Sequence, residues 1–439
     1  MSVIHDTIEY CKKIHKSTSN TSQILIKHVY NILKRTLDDA RAYAYINELF
    51  NNNYNLINTP KIQRLINTMT KYHSKSFVYE LSTTIINNIR VDEQFHEWYR
   101  MYDNMNINKK CNVYQQIHNF SKKTTCTLNI HTSNINTSNV NIAFYHNGIS
   151  NQYMHDMVKC TYVVINTFIE LDNNINKKPL RNINICFICV NSVRKIHNMY
   201  NESFENIKKL FDLHRTIQHF NVASGLNTSY TDKCNIIVSR LDGSMHLLIH
   251  ELGHSLNLDG RWENFIDKSY TCPYFKFKYN KLYEGINNTT STLINALYIV
   301  IDHNEFMGRF DLMMNIECIF SMFVAHRFVN IFPSNHIYQT VLLFQYIFIK
   351  MCLMINLRSL QNKMYGDDTS FNLIMTSNSY DSLNKYVDIT YNIQTMFEFI
   401  DKYCKIINKH YLKENQKLIM EYICVNYNYG FDNERYSLI

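Results

Sequence analysis

Proline and glycine are nearly absent from this chain, with 4 and 9 residues in 439. Asn, Ile, Tyr and Lys are used heavily instead, a skew that follows an AT-rich coding sequence and carries no functional message of its own. The start, "MSVIHDTIEYCKKIHK", lacks an uninterrupted apolar stretch, which predicts no signal peptide. The most membrane-like run, "TVLLFQYIFIKMCLMINL" at 340–357, is broken by Gln345 and Lys350. It reads as a buried core helix, and no transmembrane segment is expected. A long basic block is missing too. The formal charge of +8 comes with lysines in pairs (Lys12 and Lys13, Lys109 and Lys110, Lys122 and Lys123), which reads as a solvated surface with no clear nucleic-acid motif. No internal repeat is visible. A chain of this length needs no disulfide staples, and most of the 12 cysteines lie in apolar runs such as "INICFICVN". On a strand, Cys186 and Cys189 point to opposite faces. They therefore read as buried thiols in a reducing, intracellular compartment rather than as a metal or redox pair.

What is present is enough apolar surface, 46% of residues, for two or three packed units. Residues 1–125 read as a mainly helical N-terminal region, with helical apolar spacing in "SQILIKHVYNILKRTL" and a polar break at "NNNYNLINTP". The Ser/Thr/Asn-rich segment "SKKTTCTLNIHTSNINTSN", 121–139, reads as a linker or long loop. Strands then alternate with helices: "VNIAFYH" at 140–146, a helix over 151–171, "INICFICVN" at 183–191, a helix over 202–217, and "CNIIVSRL" at 234–241. That alternation implies a small mixed sheet in an α/β subdomain over 126–260. Residues 261–439 read as a mainly helical C-terminal subdomain. The fold class is α+β.

The third strand runs through Asp242-Gly243-Ser244, a turn with Ser244 as a candidate N-cap, into "HLLIHELGHSLNLDG" at 246–260. His250-Glu251-Leu252-Gly253-His254 is the H-E-x-x-H pattern of zinc peptidases. Residues four apart stand one above the other on a helix, so His250 and His254 can serve one Zn2+. Glu251 lies about 100° around from His250, where it flanks the pair as a general base for water rather than as a ligand. Met245, Leu248, Ile249, Leu252 and Leu256 gather on the opposite side as an apolar back. The alternative is a pair of structural histidines.

A catalytic zinc needs a third protein ligand. A histidine at 260 would complete one common pattern, but Gly260 stands there, with Asn257 at the preceding glycine position. Asp259 is one residue short of the usual offset and remains a candidate ligand or supporting residue. A glutamate from a later helix is the other solution, with Glu263, Glu284, Glu305 and Glu317 as candidates. Glu284 is favoured because a helix starting near it puts Glu284, Asn288, Ser291 and Asn295 on one face, with Ile286, Leu293, Leu297 and Val300 on the other. The competing explanation is that this polar stripe faces solvent.

"CNIIVSRLDGSMHLLIHELGHSLNLDG" followed by "LYEGINNTTSTLINALYIV" resembles gluzincin-type zinc metallopeptidases encoded by large nucleocytoplasmic DNA viruses. In these an "IV" strand leads into an HExxH helix ending in "LD", and a "YE" helix follows. The resemblance covers roughly residues 220–375 and extends more weakly through "NIECIFSMF" and "YGDDTSFNLI". It implies a zincin-like core, a small mixed sheet plus the HExxH helix, embedded in the helical N- and C-terminal regions. It further implies His250, His254 and Glu284 as zinc ligands, Glu251 as general base, a protein or peptide substrate, and a host-cytoplasm or virion location. Gluzincins commonly carry a carboxylate four residues after the ligand glutamate, and this chain has Asn288 there, which removes a charge that would orient a ligand histidine. The strand "CNIIVSRL" is expected to hold extended substrate by main-chain pairing. Tyr365 and His326 are candidates for stabilising the oxyanion. The rival readings are a catalytically inactive zincin-fold virion structural or scaffolding protein, and a protease acting on protein crosslinked to DNA.

Overall fold

The structure, a computed structural model, describes residues 3–15, 20–53, 55–87, 117, 119–131, 137–171, 182–190, 225–228, 234–239, 241, 244–256, 282–304, 308–331, 350–351, 353–354 and 357. In chain order its elements begin with α1 (Val3–His15), α2 (Asn20–Thr36), α3 (Ala40–Asn53), a 3-10 turn (Leu56–Asn58), α4 (Pro60–Ser74) and β1 (Ser82–Ile85). Next come β2 (Lys122–His131), β3 (Thr137–His146), α5 (Asn151–Leu171), β4 (Ile183–Ile188), β5 (Gly225–Thr228) and β6 (Cys234–Ser239). Helices α6 (Ser244–Ser255), α7 (Leu282–Asp302) and α8 (Gly308–Ile331) follow. The fold is α+β. Two compact units divide the chain, one of Met1–His73, Glu170–Asn174 and Asn257–Asn415, the other of Ser74–Ile169, Ile175–Leu256 and Gln416–Ile439.

The described elements of the first unit are helical. Helix α1 packs against α2, α3 and α8, and α8 also meets α7. Ile4, Ile8, Leu33, Phe50, Leu65, Phe310 and Ile316 are buried in its core. Polar ties add direction to these contacts: Asp311 accepts the Ile57 N–H at 3.3 Å, and Asn315 donates to the Thr7 hydroxyl at 3.4 Å. Pro60 opens α4 at the position where a missing N–H is tolerated. Lys350, Met351, Leu353, Met354 and Leu357 are all buried. These five residues thus lie in a core, as read for 340–357, and no helix of the described residues is long and apolar enough to cross a membrane. Lys350 explains why its charge is tolerated: its ammonium donates to Glu317 at 3.1 Å, with both side chains buried.

The second unit is built on a six-stranded mixed sheet of order β1-β2-β3-β4-β6-β5. Strands β3, β4 and β6 are parallel, and β1, β2 and β5 join antiparallel. The linker expected at 121–139 is corrected here, because Lys122–His131 forms the ten-residue strand β2. Thr124, Cys126, Leu128 and Ile130 are buried and alternate with more exposed neighbours, a period of two that its Ser/Thr/Asn content disguised. Strand β1 likewise falls within the N-terminal stretch read as mainly helical.

One face of this sheet carries aligned apolar rows. Val140 pairs with Ile183; Ile142 pairs with Ile185, which pairs in turn with Ile236; and Phe144 pairs with Phe187, which pairs in turn with Val238. The Phe144 and Phe187 rings stack at 4.7 Å, and Tyr153 of α5 meets Phe144 edge-on at 6.3 Å, so α5 covers this face. The other face carries a polar row in register, Thr127, Asn141, Asn184 and Asn235, running across β2, β3, β4 and β6. Their side chains are hydrogen-bonded head to tail: Thr127 donates to Asn141 at 3.1 Å, Asn141 to Asn184 at 3.0 Å, and Asn184 to Asn235 at 3.0 Å.

The chain leaves β3 through a tight turn. Gly148 has φ +128°, which only glycine adopts without strain. Buried His146 holds this turn, its Nδ1 accepting the N–H groups of Gly148 at 3.1 Å and Ile149 at 3.3 Å. Its Nε2 then carries the proton and donates to the Thr124 hydroxyl at 2.9 Å. Ser150 caps α5 by accepting the Tyr153 N–H at 3.1 Å.

Candidate metal centre

The H-E-x-x-H segment lies on α6, which begins where β6 ends. Its entry is fixed by main-chain bonds at the carboxyl ends of the parallel strands: Cys189 N–H to Tyr145 C=O, Leu241 N–H to Val190 C=O, and Ser244 N–H to Leu241 C=O. Helix α6 packs against β6 and β5. Met245, Leu248, Ile249, Leu252 and Leu256 are buried, so the apolar back expected from the sequence is where the helix meets its unit. Ser244 is the first helical residue, and its hydroxyl is engaged by α5: it accepts from Tyr153 at 2.9 Å and approaches the Met157 sulfur at 3.7 Å.

The front of α6 gathers the chemical groups. His250 and His254 are half-buried, and their Nε2 atoms lie 3.0 Å apart, with rings nearly perpendicular at 84°. In this geometry one Nε2–H donates to the lone pair of the other. Two ligands at Zn–N distances of about 2.0–2.1 Å and a tetrahedral angle stand roughly 3.3 Å apart. The pair therefore needs to open by only a few tenths of an ångström to present both lone pairs to one cation. Glu251 sits between them in sequence and is buried, with 6% of its surface exposed. These residues fit a zinc ion as two imidazole ligands and an adjacent carboxylate base.

Among the described residues, no third His, Cys, Asp or Glu joins the pair to complete a metal-binding group. Glu284 lies in the first turn of α7 and His326 in α8, but neither side chain is among those described. Asp259, Glu263, Glu305 and Tyr365 fall outside the described residues, as does the helix read over 202–217. Glu317 is removed from the ligand candidates, because it is occupied by Lys350 deep in the helical unit. Burial drives its carboxyl up to about 7 despite the lysine, so low-dielectric surroundings dominate there.

The polar stripe on α7 does not face solvent as a whole. Ser291 and Asn295 are buried, as are Leu293, Leu297 and Val300 on the other side. Hydroxyls along it bond back to their own helix, as Thr292 does to the Asn288 carbonyl at 2.9 Å. The side-chain oxygens of Asn288 and Asn295 are buried and find no hydrogen-bond partner among the described residues.

The expected role of "CNIIVSRL" is corrected by the strand order. β6 is paired on both sides, by β4 and by β5, so its main chain has no edge left for a substrate. β5, antiparallel to β6 and packed beside α6, is the terminal strand of the described sheet. Its sequence, "GLNT", has no alternation or β-branched run that would have marked it as a strand. Cys186 is half-buried on β4 and Cys189 is buried beyond its end, where burial drives the thiol pKa far up. Cys11 and Cys126 are pushed up to about 12 by burial as well, which makes these thiols poor nucleophiles and metal ligands. No protein-family model, curated protein or solved structure matches this chain.

Proposed function

We propose that this chain is a zinc-dependent metallopeptidase of gluzincin type, of the kind encoded by large nucleocytoplasmic DNA viruses, acting on protein or peptide substrates inside the host cell or virion. The convergence of His250 and His254 Nε2 to 3.0 Å, on the front of a helix whose back is buried, carries this reading. His250 and His254 bind Zn2+ through Nε2, and Glu284 is the third ligand. Zinc, when bound, supplies the Lewis acidity that makes water nucleophilic near neutral pH. The Glu251 carboxylate takes the proton from the attacking water and delivers it to the leaving amine nitrogen. Its burial keeps bulk water from competing for that proton. Strand β5 offers its main chain to an extended substrate beside α6.

A second reading is favoured by one observation. Among the described residues the Asn288 side-chain oxygen engages no donor, whereas the carboxylate at the corresponding gluzincin position orients a ligand histidine. A catalytically inactive zincin-fold scaffolding protein follows if the metal is lost or merely structural. Metal analysis and peptide hydrolysis on wild type, His250→Ala, Glu251→Gln and Glu284→Ala separate the two. Wild type is expected to hold one zinc and His250→Ala none. Glu251→Gln should keep zinc while losing hydrolysis by at least about 100-fold. Zinc-free wild type would refute the metal site, and zinc unaffected by Glu284→Ala would refute the third ligand alone.

A further inference from the structure

We infer that Tyr153 is a positioning residue for the histidine pair, fixing the height and rotation of α6 through its hydrogen bond to Ser244. This inference rests on the reading of His250 and His254 as metal ligands. Apolar packing alone does not fix the height or rotation of α6. Met245, Leu248, Ile249, Leu252 and Leu256 hold α6 to its unit by contacts that are non-directional. A slip of one residue moves a helix by about 1.5 Å and turns it by about 100°. Such a slip leaves the spacing between His250 and His254 intact, because both belong to one helix. It displaces the pair relative to everything outside the helix, including any third ligand and the main chain of β5.

A buried, directional bond at one end of α6 prevents the slip. The Tyr153 hydroxyl donates to Ser244 at 2.9 Å, and Ser244 directs its own hydroxyl to the Met157 sulfur at 3.7 Å. All of this is shielded: Tyr153 is 1% and Ser244 3% exposed, where an unmade hydrogen bond is costly. Burial also drives the Tyr153 phenol well above its ordinary pKa, so it stays a donor throughout the working pH range. Tyr153 is itself immobilised, by its ring against Phe144 and by the Ser150 cap on its N–H. A continuous line of contacts therefore runs from the end of β3, through the start of α5, to the residue that opens α6. Ser244 stands six residues before His250, roughly 9 Å along the helix axis.

The test is zinc affinity by chelator competition, the visible spectrum of the cobalt(II)-substituted protein, and thermal unfolding, for wild type, Tyr153→Phe and Ser244→Ala. The two variants remove the same bond from opposite sides, so one replaces the other if either does not fold. Zinc Kd is expected to rise about tenfold or more, the range seen when partners that orient ligands are lost. The cobalt band should shift with it, and Ser244→Thr, which keeps the hydroxyl, should restore both. Wild-type Kd and cobalt spectrum in folded variants, whatever their melting temperatures, would overturn the inference and leave the metal site standing. Absence of metal binding by the wild type would overturn the site and this inference together.

Discussion

His146 is a histidine whose two nitrogens are both committed to holding a turn, and that commitment carries a pH dependence. Protonating Nδ1 would remove the acceptor used by the Gly148 and Ile149 N–H groups. Burial first, and Lys122 second, hold its pKa below the ordinary 6.5. As pH falls, the unfolded chain takes up this proton before the folded one does. The stabilisation is therefore complete above about pH 6.5 and is lost as pH drops through the lower folded value. The unfolding midpoint in urea should fall between about pH 7.5 and 5.5 by more in wild type than in His146→Gln. At the higher pH the variant should be destabilised by about 1–3 kcal/mol. Equal pH slopes would show that His146 is not the titrating group. None of this was readable from the sequence, because Thr124 comes from a neighbouring strand and the turn depends on a positive φ. His250, Glu251 and His254 were readable, since one helix supplies all three and its period alone sets their relation.

The row Thr127–Asn141–Asn184–Asn235 gives the parallel strands a property that Val and Ile side chains lack. Apolar neighbours tolerate many small adjustments, whereas an amide pair is made or broken at one register. Asn184 is the centre of the row, bonded on both sides. Asn184→Ala leaves two neighbours unsatisfied and is expected to cost about 1–3 kcal/mol. Thr127→Ala at the exposed end should stay within about 0.5 kcal/mol. A double-mutant cycle on Asn141 and Asn184 by urea unfolding should give a coupling of about 0.5 kcal/mol or more, and strict additivity would deny the row any cooperative role. At this scale the sequence was legible where burial dominates: α5, β4 and β6 lie within segments read as helix or strand, and β3 does so apart from residues 137–139, which were read as linker. It failed at β2, where Thr and Asn mask the alternation, and at β5, where four residues carry no pattern.

Two units, each with its own buried core, set the behaviour of the whole molecule. Calorimetry should resolve two unfolding transitions, one lowered by His146→Gln and the other by Lys350→Met. The second variant removes the cation facing buried Glu317 and drives its carboxyl to the protonated form, at a cost of up to about 3–5 kcal/mol, and adding Glu317→Leu should return most of it. A single transition moved by both variants would mean that the units unfold as one. This organisation was hidden from the sequence, since Met1–His73 and Asn257–Asn415 meet only through contacts far apart in the chain. It also shapes how the protein is made. The N-terminal helices leave the ribosome well before α8, the helix on which α1, α2 and α3 close. About 180 residues of the sheet unit must be synthesised in between, which takes roughly 10–40 s at ordinary translation rates. During that interval the apolar sides of α1, α2 and α3 that close on α8 await it, while the strands emerge in an order that completes the described sheet before α6 appears. The histidine pair therefore reaches a finished platform, and the nascent helical unit is the part most in need of chaperone protection.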